Sequence, residues 1–276
     1  MHDSYGCSPQ TDDVYVTINE APDATITGGG NYCQFAGSPF IWFNGSGGTT
    51  PYTFEYNIDG GATQTITTWG TDVSVFIFAP TNIQGTFTYN LTNVTDANGC
   101  SRALNSSTAV TINALPSAFI TGELVVCPDS DNQYEGNAGM TGYDWSITGN
   151  GTIPGATNLQ DVSVTAGTVC GNTYNLLLMV TDNNGCNGTA DELIIVEDVE
   201  NPVITGTIPL TTIEGCSVSS LPAAANTTAA LEALGPAISD NCASDGDLLV
   251  SYTDGTPNGT CPIVVIRTYT VTDHCG

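Results

Sequence analysis

The sequence predicts an all-β protein made of tandem β-sandwiches that follow one another as a linear rod. Short stretches of alternating apolar and polar residues predict strands, and clusters of Gly, Asn, Asp and Ser between them predict turns. An Asp-x-x-Gly-Cys motif recurs at Asp3, Asp96 and Asp182, with an altered copy at Asp273, so that successive copies lie 93, 86 and 91 residues apart. That period fits one small sandwich better than a short solenoid repeat.

The N-terminal segment carries this motif and then the alternation Val14-Tyr15-Val16-Thr17-Ile18, which predicts a strand. The strand is typical of the end of a preceding module, and we expect the sequence to be an internal part of a longer chain. Pro22, Pro116 and Pro202 mark module borders, because proline cannot donate to a strand ladder. The predicted parts are 1–20, 21–114, 115–199 and 200–276.

The module at 21–114 has a predicted strand at each stretch rich in β-branched and aromatic residues. These strands are Ala24–Thr27, Phe40–Phe43, Tyr52–Ile58, Thr63–Thr68, Val73–Phe78, Thr86–Thr95 and the closing strand Ala109–Ile112.

The module at 115–199 repeats this scheme. Its predicted strands are Phe119–Thr121, Tyr143–Ile147, Val162–Thr165, Tyr174–Thr181 and Glu192–Val196. Trp145 lies in an early strand, where an immunoglobulin-like sandwich places a large aromatic side chain in its core. We therefore expect Trp145 to be buried.

The third module, 200–276, contains a predicted short helix. Asn226–Gly235 begins with capping residue types and ends at a glycine, as short helices do. Strands are predicted at Leu248–Tyr252 and Ile263–Thr272, and the altered motif follows at Asp273 without a closing strand.

The charge of the chain excludes several kinds of partner. Twenty-eight acidic residues accompany two arginines and no lysine, for a formal net charge of -26. Nucleic acids and anionic membranes bind through Lys and Arg, so neither is an expected partner. The apolar runs have the length of strands and are too short to insert directly into a membrane.

Catalysis also lacks its usual residues. The chain has two histidines, His2 and His274, and neither lies near an identifiable nucleophile in the sequence. Without lysine there is no Schiff base. We expect a protein that is not an enzyme.

The run Thr95-Asp96-Ala97-Asn98-Gly99-Cys100, the Tyr32-Cys33 and Val126-Cys127 pairs and the Thr-rich strands resemble the PKD-like and immunoglobulin-like repeats of giant Bacteroidota surface adhesins. The third module resembles the related HYR-type repeat in its runs 198–204, 240–242 and 270–276. The resemblance implies a long extracellular fibre at the cell surface. Such a fibre would be similar to the gliding-motility adhesins that are exported by the type IX route.

Ten cysteines without any C-x-x-C pair indicate disulfides formed in an oxidising compartment rather than a zinc site. Sandwich topology places Cys127 and Cys170 at one pole of their module, so we expect them to pair. The same argument pairs Cys216 with Cys261. Cys242 and Cys275 lie at the opposite pole of the third module and are expected to form another bridge.

Cys33 has two candidate partners. The resemblance implies Cys33–Cys100, because these repeats commonly carry both positions, although topology puts them at opposite poles. Cys33 could instead bond Cys186, leaving Cys7 and Cys100 to find partners upstream. The sequence leaves both pairings open.

A calcium site is predicted near the end of the second module. Asp198 and Glu200 precede the third module, and Asp240, Asn241 and Asp273 are expected at the pole beside them. Ca²⁺ requires several hard oxygen ligands, which these side chains supply. An Asp in such turns also commonly bonds its own backbone, which is the alternative interpretation. Apart from calcium, no cofactor is predicted.

The predicted function is a non-catalytic structural and adhesive segment of an extracellular fibre. Its expected partners are neighbouring modules of the same chain. One alternative is a glycan-binding module that stacks sugars on exposed Trp42 or Trp69. Another is a filament in which residues 7–20 of one copy complete the third module of the next by strand addition.

Overall fold

The computed structural model describes residues 11–215 and 217–275. Their regular elements are strands, apart from one five-residue α-helix and one short 3-10 turn. The predicted all-β class is therefore confirmed. The described chain divides into two compact units, 11–115 with 184–186, and 116–183 with 187–275.

The first unit is a β-sandwich of two sheets. Its strands are β1 Asp23–Gly28, β2 Gly30–Cys33, β3 Phe40–Ser46, β4 Thr53–Ile58, β5 Gln64–Thr67, β6 Ser74–Phe78, β7 Gly85–Thr95 and β8 Ser101–Asn113. One sheet has the order β1-β3-β6, and the other has the order β2-β8-β7-β4-β5. The pairing of β2 with β8 is parallel.

Apolar side chains from both sheets form one core, because alternate residues of each strand point inward. Ile41 and Phe43 of β3 and Phe54 of β4 are fully buried there. Val110 and Ile112 of β8 lie in the same core. The predicted strands of this module are thus formed, and the alternation identified their buried residues.

The second unit begins with another sandwich. Its strands are β9 Ile120–Thr121, β10 Val125–Val126, β11 Asp131–Gly136, β12 Gly142–Gly149, β13 Gly151–Thr152, β14 Asp161–Ala166, β15 Asn172–Thr181 and β16 Asn187–Val196. They form sheets with the orders β10-β16-β15-β12 and β13-β14-β11-β9. Trp145 is buried in the core between strands of both sheets, as predicted, and its Nε1 donates to the Leu159 carbonyl at 2.9 Å.

The rest of the second unit has less regular structure. Its elements are β17 Val203–Thr205, α1 Thr228–Glu232, β18 Ala237–Ser239, β19 Leu249–Asp254 and β20 Arg267–Thr272. The strands form two separate pairs, β17-β18 and β19-β20. Thr227 caps α1, since its side chain accepts from the Ala230 N–H at 3.2 Å. A small core of Ala225, Leu231, Ile238 and Leu248 lies between these elements.

Several predicted elements differ from the structure in their bounds. Strands β8 and β16 begin earlier than the predicted Ala109 and Glu192, and α1 covers only the middle of the predicted helix Asn226–Gly235. Strand β20 starts at Arg267 rather than Ile263, because Val264 instead exchanges both backbone hydrogen bonds with Asn258.

Residues 11–20 have no regular secondary structure and are exposed. The strand Val14–Ile18 was predicted as the end of a preceding module, and it stays a prediction. The alternation is present in that segment, but none of the described strands pairs with it.

None of the helical residues in the described ranges belongs to a segment long and apolar enough to cross a bilayer.

Candidate metal site, disulfide frame and aromatic surface

The Asp-x-x-Gly-Cys motif forms a tight turn between β7 and β8. Asp96 Oδ1 accepts hydrogen bonds from the N–H groups of Asn98 at 3.0 Å and Cys100 at 2.8 Å. Its Oδ2 accepts from the Thr49 N–H at 3.0 Å. Gly99 adopts a φ of 80°, in the left-handed region that glycine enters without strain. This copy of the motif uses its carboxylate to hold the backbone of a turn.

Three disulfides are formed among the described residues, and two of them bridge distant positions within the second unit. Cys127 is bonded to Cys242, and Cys170 is bonded to Cys275, across 115 and 105 residues of sequence. The predicted pairs Cys127–Cys170 and Cys242–Cys275 are therefore wrong. The poles of each sandwich were assigned separately, whereas the observed bonds join the first sandwich of the unit to its later part.

The third disulfide joins Cys33 to the buried Cys186, which belongs with residues 184–186 to the first unit. It is one of the two pairings that the sequence left open, and it rules out the bond between Cys33 and Cys100. Cys100 has no disulfide partner among the described residues. The predicted pair Cys216–Cys261 involves Cys216, which lies outside the described residues, as does Cys7.

Three carboxylates of the second unit converge on one point. Asp198, Asp240 and Asp273 each follow the end of a strand, namely β16, β18 and β20. One carboxylate oxygen from each lies within 4.8 Å of the other two. Asp273 is 6% exposed, and the other two residues are half-buried. We call these three residues the acidic cluster.

Each carboxylate of the acidic cluster also binds its own turn. Asp240 Oδ1 accepts from the N–H groups of Cys242 at 2.9 Å and Ala243 at 2.7 Å. Asp273 Oδ1 accepts from the Cys275 N–H at 2.7 Å. Asp198 Oδ1 accepts from the Glu200 N–H at 3.2 Å. These bonds hold the three side chains of the acidic cluster in place.

One carboxylate oxygen of the acidic cluster has no hydrogen-bond partner. Asp240 Oδ2 is inaccessible to solvent and has no hydrogen-bond partner. A buried polar atom without a partner destabilises a fold unless a ligand or ion satisfies it. Burial raises the pKa of Asp198, and the nearby charges of Asp240 and Asp273 raise it further, against the lowering effect of the Glu200 N–H. The cluster therefore concentrates negative charge at one point.

A cavity of about 540 Å³ lies beside the cluster. Its lining includes Asp198, Asn241, His274 and the disulfide between Cys127 and Cys242. Both long-range disulfides of the unit meet this cavity, because Cys275 lines it as well. The bridges thus hold the turns that carry Asp240 and Asp273 next to the end of β16.

Of the five residues predicted as calcium ligands, three lie in the acidic cluster and two do not. The structure brings Asp198, Asp240 and Asp273 together, whereas Glu200 and Asn241 are exposed neighbours of cluster residues in the sequence. Three carboxylates with an unsatisfied oxygen fit the hard oxygen ligands that Ca²⁺ takes. The donor set does not fit zinc, which prefers Cys and His.

Arg267 of β20 forms an ion pair with Asp254 of the neighbouring strand β19. Its Nε and Nη2 donate to the two oxygens of Asp254 at 2.6 Å and 2.9 Å, and its Nη1 donates to the Pro222 carbonyl at 2.9 Å. The guanidinium lies 4.9 Å from the centre of the Tyr252 ring. Hydrogen bonding to Arg267 lowers the pKa of Asp254. Asp254 is therefore paired with a cation.

A second candidate site is an aromatic surface on the sheet β1-β3-β6 of the first unit. Phe40 and Trp42 of β3 lie opposite Phe78 and Phe76 of β6 in the antiparallel register. The Trp42 and Phe76 ring centres are 4.8 Å apart, and the Phe40 ring is 4.9 Å from both phenylalanines of β6. All four side chains are exposed to solvent, Trp42 by 39%. We call these four residues the aromatic patch.

The sequence interpretation proposed Trp42 or Trp69 as an aromatic platform. Trp69 is 87% exposed and has no ring partner among the described residues, so only Trp42 belongs to the patch. The three phenylalanines were missed. Their signal was available, since aromatic residues occupy alternate positions in both β3 and β6 and therefore lie on one face.

Comparison with known proteins gives a likeness of fold. No protein-family profile matches the sequence, and no curated protein matches it. The chain is similar to a Ca²⁺-stabilized adhesin with which an Antarctic bacterium binds ice, at 13% identity and a TM-score of 0.43 over 93% of this chain and 74% of that one. It is also similar to a 1.5-MDa bacterial ice-binding adhesin, at 11% identity and a TM-score of 0.37 over 93% and 98% of the two chains. The fibronectin(III)-like modules of Clostridium thermocellum CbhA match at 12% identity and a TM-score of 0.30, over 63% of this chain and 94% of that chain. Similarity at this level does not transfer a function.

Proposed function

We propose that this chain is a non-catalytic structural segment of a long extracellular surface fibre, where it bears tension and spaces an adhesive part of the fibre. The observation that carries the proposal is the set of long-range disulfides, each of which closes more than a hundred residues of sequence. Disulfides persist in extracellular compartments, which supports the location. The resemblance of the repeat motifs to gliding-motility adhesins supports the same role.

The disulfides shorten the covalent path that a pulling force can extend. From the N-terminus, that path runs to Cys33, crosses to Cys186, returns along the chain to Cys170 and crosses to Cys275. It contains about 50 residues, which span about 170 to 190 Å when fully extended. The reduced chain of 276 residues would extend to about 910 to 990 Å. A segment bonded in this way unfolds under load without lengthening greatly.

Single-molecule force spectroscopy on the chain held by its termini tests this proposal. We expect the oxidised chain to reach the shorter extension and the same molecules to reach the longer one after reduction. The double variant Cys170→Ser/Cys275→Ser is a matched control. It leaves a path of about 130 residues through Cys127 and Cys242, with an extension of about 420 to 460 Å. Equal extensions before and after reduction would contradict the proposal.

A bound Ca²⁺ at the acidic cluster is part of this proposal. Asp198, Asp240 and Asp273 would hold the ion, which would neutralise their charge and satisfy the buried Asp240 Oδ2. Because the three side chains follow three different strands, an ion shared between them would tie β16, β18 and β20 together. Calorimetric titration of the oxidised chain with CaCl₂ should show one binding event that Asp240→Asn abolishes. Absence of heat would refute the calcium site and leave the disulfide argument untouched.

A second candidate function is glycan binding, and the aromatic patch favours it. Clustered exposed apolar side chains mark interaction sites more often than isolated ones do. Sugars present apolar faces that can lie on such rings. On a glycan array, a ligand of the patch should be lost in Trp42→Ala and retained in Trp69→Ala, since Trp69 lies outside the patch. An array without bound glycans, or equal loss in both variants, would reject this candidate.

A further inference from the structure

The two long-range disulfides of the second unit end in the turns that carry two members of the acidic cluster. Asp240 is followed two residues later by Cys242, and Asp273 is followed in the same way by Cys275. In each turn the aspartate Oδ1 accepts a hydrogen bond from the N–H of that cysteine, at 2.9 Å and 2.7 Å. A carboxylate of the cluster and one end of a disulfide therefore belong to the same turn. We call the two segments, 240–242 and 273–275, the Asp-x-Cys turns.

The other ends of the two disulfides lie on either side of the strand that leads to Asp198. Strand β16 ends at Val196, which pairs with the last residue of β10 on one side and with the first residue of β15 on the other. Cys127 directly follows β10, and Cys170 lies two residues before β15. Each disulfide therefore attaches one Asp-x-Cys turn beside the end of β16, where Asp198 follows after two residues.

The strands that precede the Asp-x-Cys turns give them little support of their own. β18 and β20 belong to two-stranded sheets, and in the described chain neither sheet is paired with a strand of the sandwich. Two-stranded sheets are at best marginally stable without further packing, and the core beside them contains four buried residues. Carboxylates that lie within 4.8 Å of one another repel, so a constraint must hold them together when no cation is bound. The two disulfides supply that constraint.

We propose that the disulfides control the calcium site, so that Ca²⁺ binds tightly when Cys127–Cys242 and Cys170–Cys275 are formed and is released when they are reduced. The inference rests on the calcium site of the proposed function and adds its regulation. The reductant is a dithiol, which gives two electrons and two protons to each disulfide and closes to its own disulfide, while the protein disulfide becomes two thiols. The turns then lose their attachment to the sandwich, and the three carboxylates move apart.

The same coupling acts in the opposite direction. A ligand that binds the oxidised form more tightly favours that form by the same factor, because the two equilibria are linked. Bound Ca²⁺ should therefore protect both disulfides of the second unit from reduction. It should not protect Cys33–Cys186, which belongs to the first unit and joins no turn of the acidic cluster. The disulfide of the first unit is thus an internal control.

Calorimetric titration with CaCl₂ measures the coupling from the side of the ion. We expect Cys170→Ser/Cys275→Ser to raise the Kd for calcium by at least about tenfold. Cys33→Ser/Cys186→Ser is the matched control and should leave the Kd unchanged. If the oxidised wild type takes up no calcium, the calcium site itself is refuted. If it binds calcium and Cys170→Ser/Cys275→Ser binds equally well, the coupling is refuted and the calcium site stands.

A redox equilibrium of the wild-type chain gives a second measurement, in which misfolding of a variant plays no part. The chain is equilibrated with mixtures of reduced and oxidised dithiothreitol, in CaCl₂ or in NaCl of equal ionic strength, and its alkylated peptides are quantified by mass spectrometry. We expect calcium to lower the reduced fraction of both disulfides of the second unit and to leave that of Cys33–Cys186 unchanged. Asp240→Asn should remove this effect. A reduced fraction that calcium leaves unchanged, or lowers equally for all three disulfides, would overturn the coupling.

Discussion

Aspartates that end strands serve two different purposes in this protein. Asp96 distributes three hydrogen bonds over its two oxygens, all from backbone N–H groups. Asp240 uses only Oδ1 in this way and buries Oδ2 without a partner. The local sequence around both is that of a turn, so the difference arises from the residues that lie across from them. Asp96 faces the Thr49 N–H, and Asp240 faces two further carboxylates.

Replacing Asp96 by alanine should destabilise the first unit. The Asn98, Cys100 and Thr49 N–H groups would lose their acceptor, so we expect the free energy of unfolding to fall by about 2 to 4 kcal/mol. Hydrogen exchange of β7 and β8 amides measures this change. Asn98→Ala is the control, because its side chain donates only one exposed bond, to Thr49 Oγ1 at 2.8 Å. A loss as large in the control would show that the Asp96 carboxylate is not the stabilising group.

Replacing Asp198 by asparagine should stabilise the second unit when Ca²⁺ is absent. It removes one of three mutually repelling charges, and we expect a gain of about 1 kcal/mol near neutral pH, or about 2 to 4 °C in Tm. The folded state raises the pKa of Asp198 above 3.8, so the native protein holds this proton up to a higher pH than the unfolded chain does. As the pH rises through that raised pKa, the free energy of unfolding of the wild type therefore falls below that of Asp198→Asn.

Melting curves of the wild type and Asp198→Asn at a series of pH values, in a chelator, check this prediction. The difference in Tm should be largest at about pH 7 and should become smaller as the pH falls toward about 4. A difference that widens on acidification would mean that Asp198 is stabilised as a carboxylate in the folded state. The acidic cluster would then have to be balanced by a positive group.

At the scale of elements, the long strands were predictable from sequence where one face of each is buried. Only Ala109–Ile112 of β8 was recognised, because the buried residues of that strand, Val110 and Ile112, lie there. Predicted strands such as Thr86–Thr95 agree with β7 to within one residue. Some of the shorter strands were not predictable. β2 and β11 carry few apolar residues, and they form because their neighbours β8 and β14 offer an edge to pair with. The segment 14–18 shows the converse, since its alternation is clear and a partner is lacking among the described strands.

Disulfide pairing was not predictable for a related reason. The positions of Cys127 and Cys170 within their own sandwich follow from strand order, which alternation reveals. Their bonds to Cys242 and Cys275 depend on how the later part of the second unit packs onto that sandwich. No periodic signal in the sequence records that packing. The acidic cluster was partly predictable, because three of its proposed ligands follow strand ends at the same pole.

Removing the bridge between Cys127 and Cys242 should destabilise the second unit strongly. The double variant Cys127→Ser/Cys242→Ser releases a loop of 115 residues, and we expect a loss of about 2 to 5 kcal/mol. Urea unfolding followed by Trp145 emission reports on this unit, in a background where Trp42 and Trp69 are changed to Phe. Cys100→Ser is the control, since Cys100 forms no disulfide in the described chain, and it should change stability by less than about 0.5 kcal/mol. An unchanged urea midpoint in the double variant would mean that packing alone holds the unit together.

At the scale of the whole molecule, the dominant feature is uncompensated negative charge. The net charge is -26, and the two arginines are each paired, Arg102 with Asp23 and Arg267 with Asp254. The remaining carboxylates repel one another over distances that salt can screen. Monovalent salt and calcium should therefore both stabilise the protein, the first by screening throughout and the second at one place.

Melting curves at matched ionic strength separate these two effects. Raising NaCl from about 0.01 to 0.5 M shortens the screening length severalfold, and we expect Tm to rise by a few degrees in the wild type and in Asp198→Asn alike. CaCl₂ at equal ionic strength should add a further rise in the wild type only, equivalent to about 2.7 kcal/mol when the ion is at a hundred times its Kd. An equal rise in both proteins would show that calcium acts as a diffuse counterion. A rise confined to the wild type would place the ion at the three carboxylates, because the two chains otherwise have the same surface.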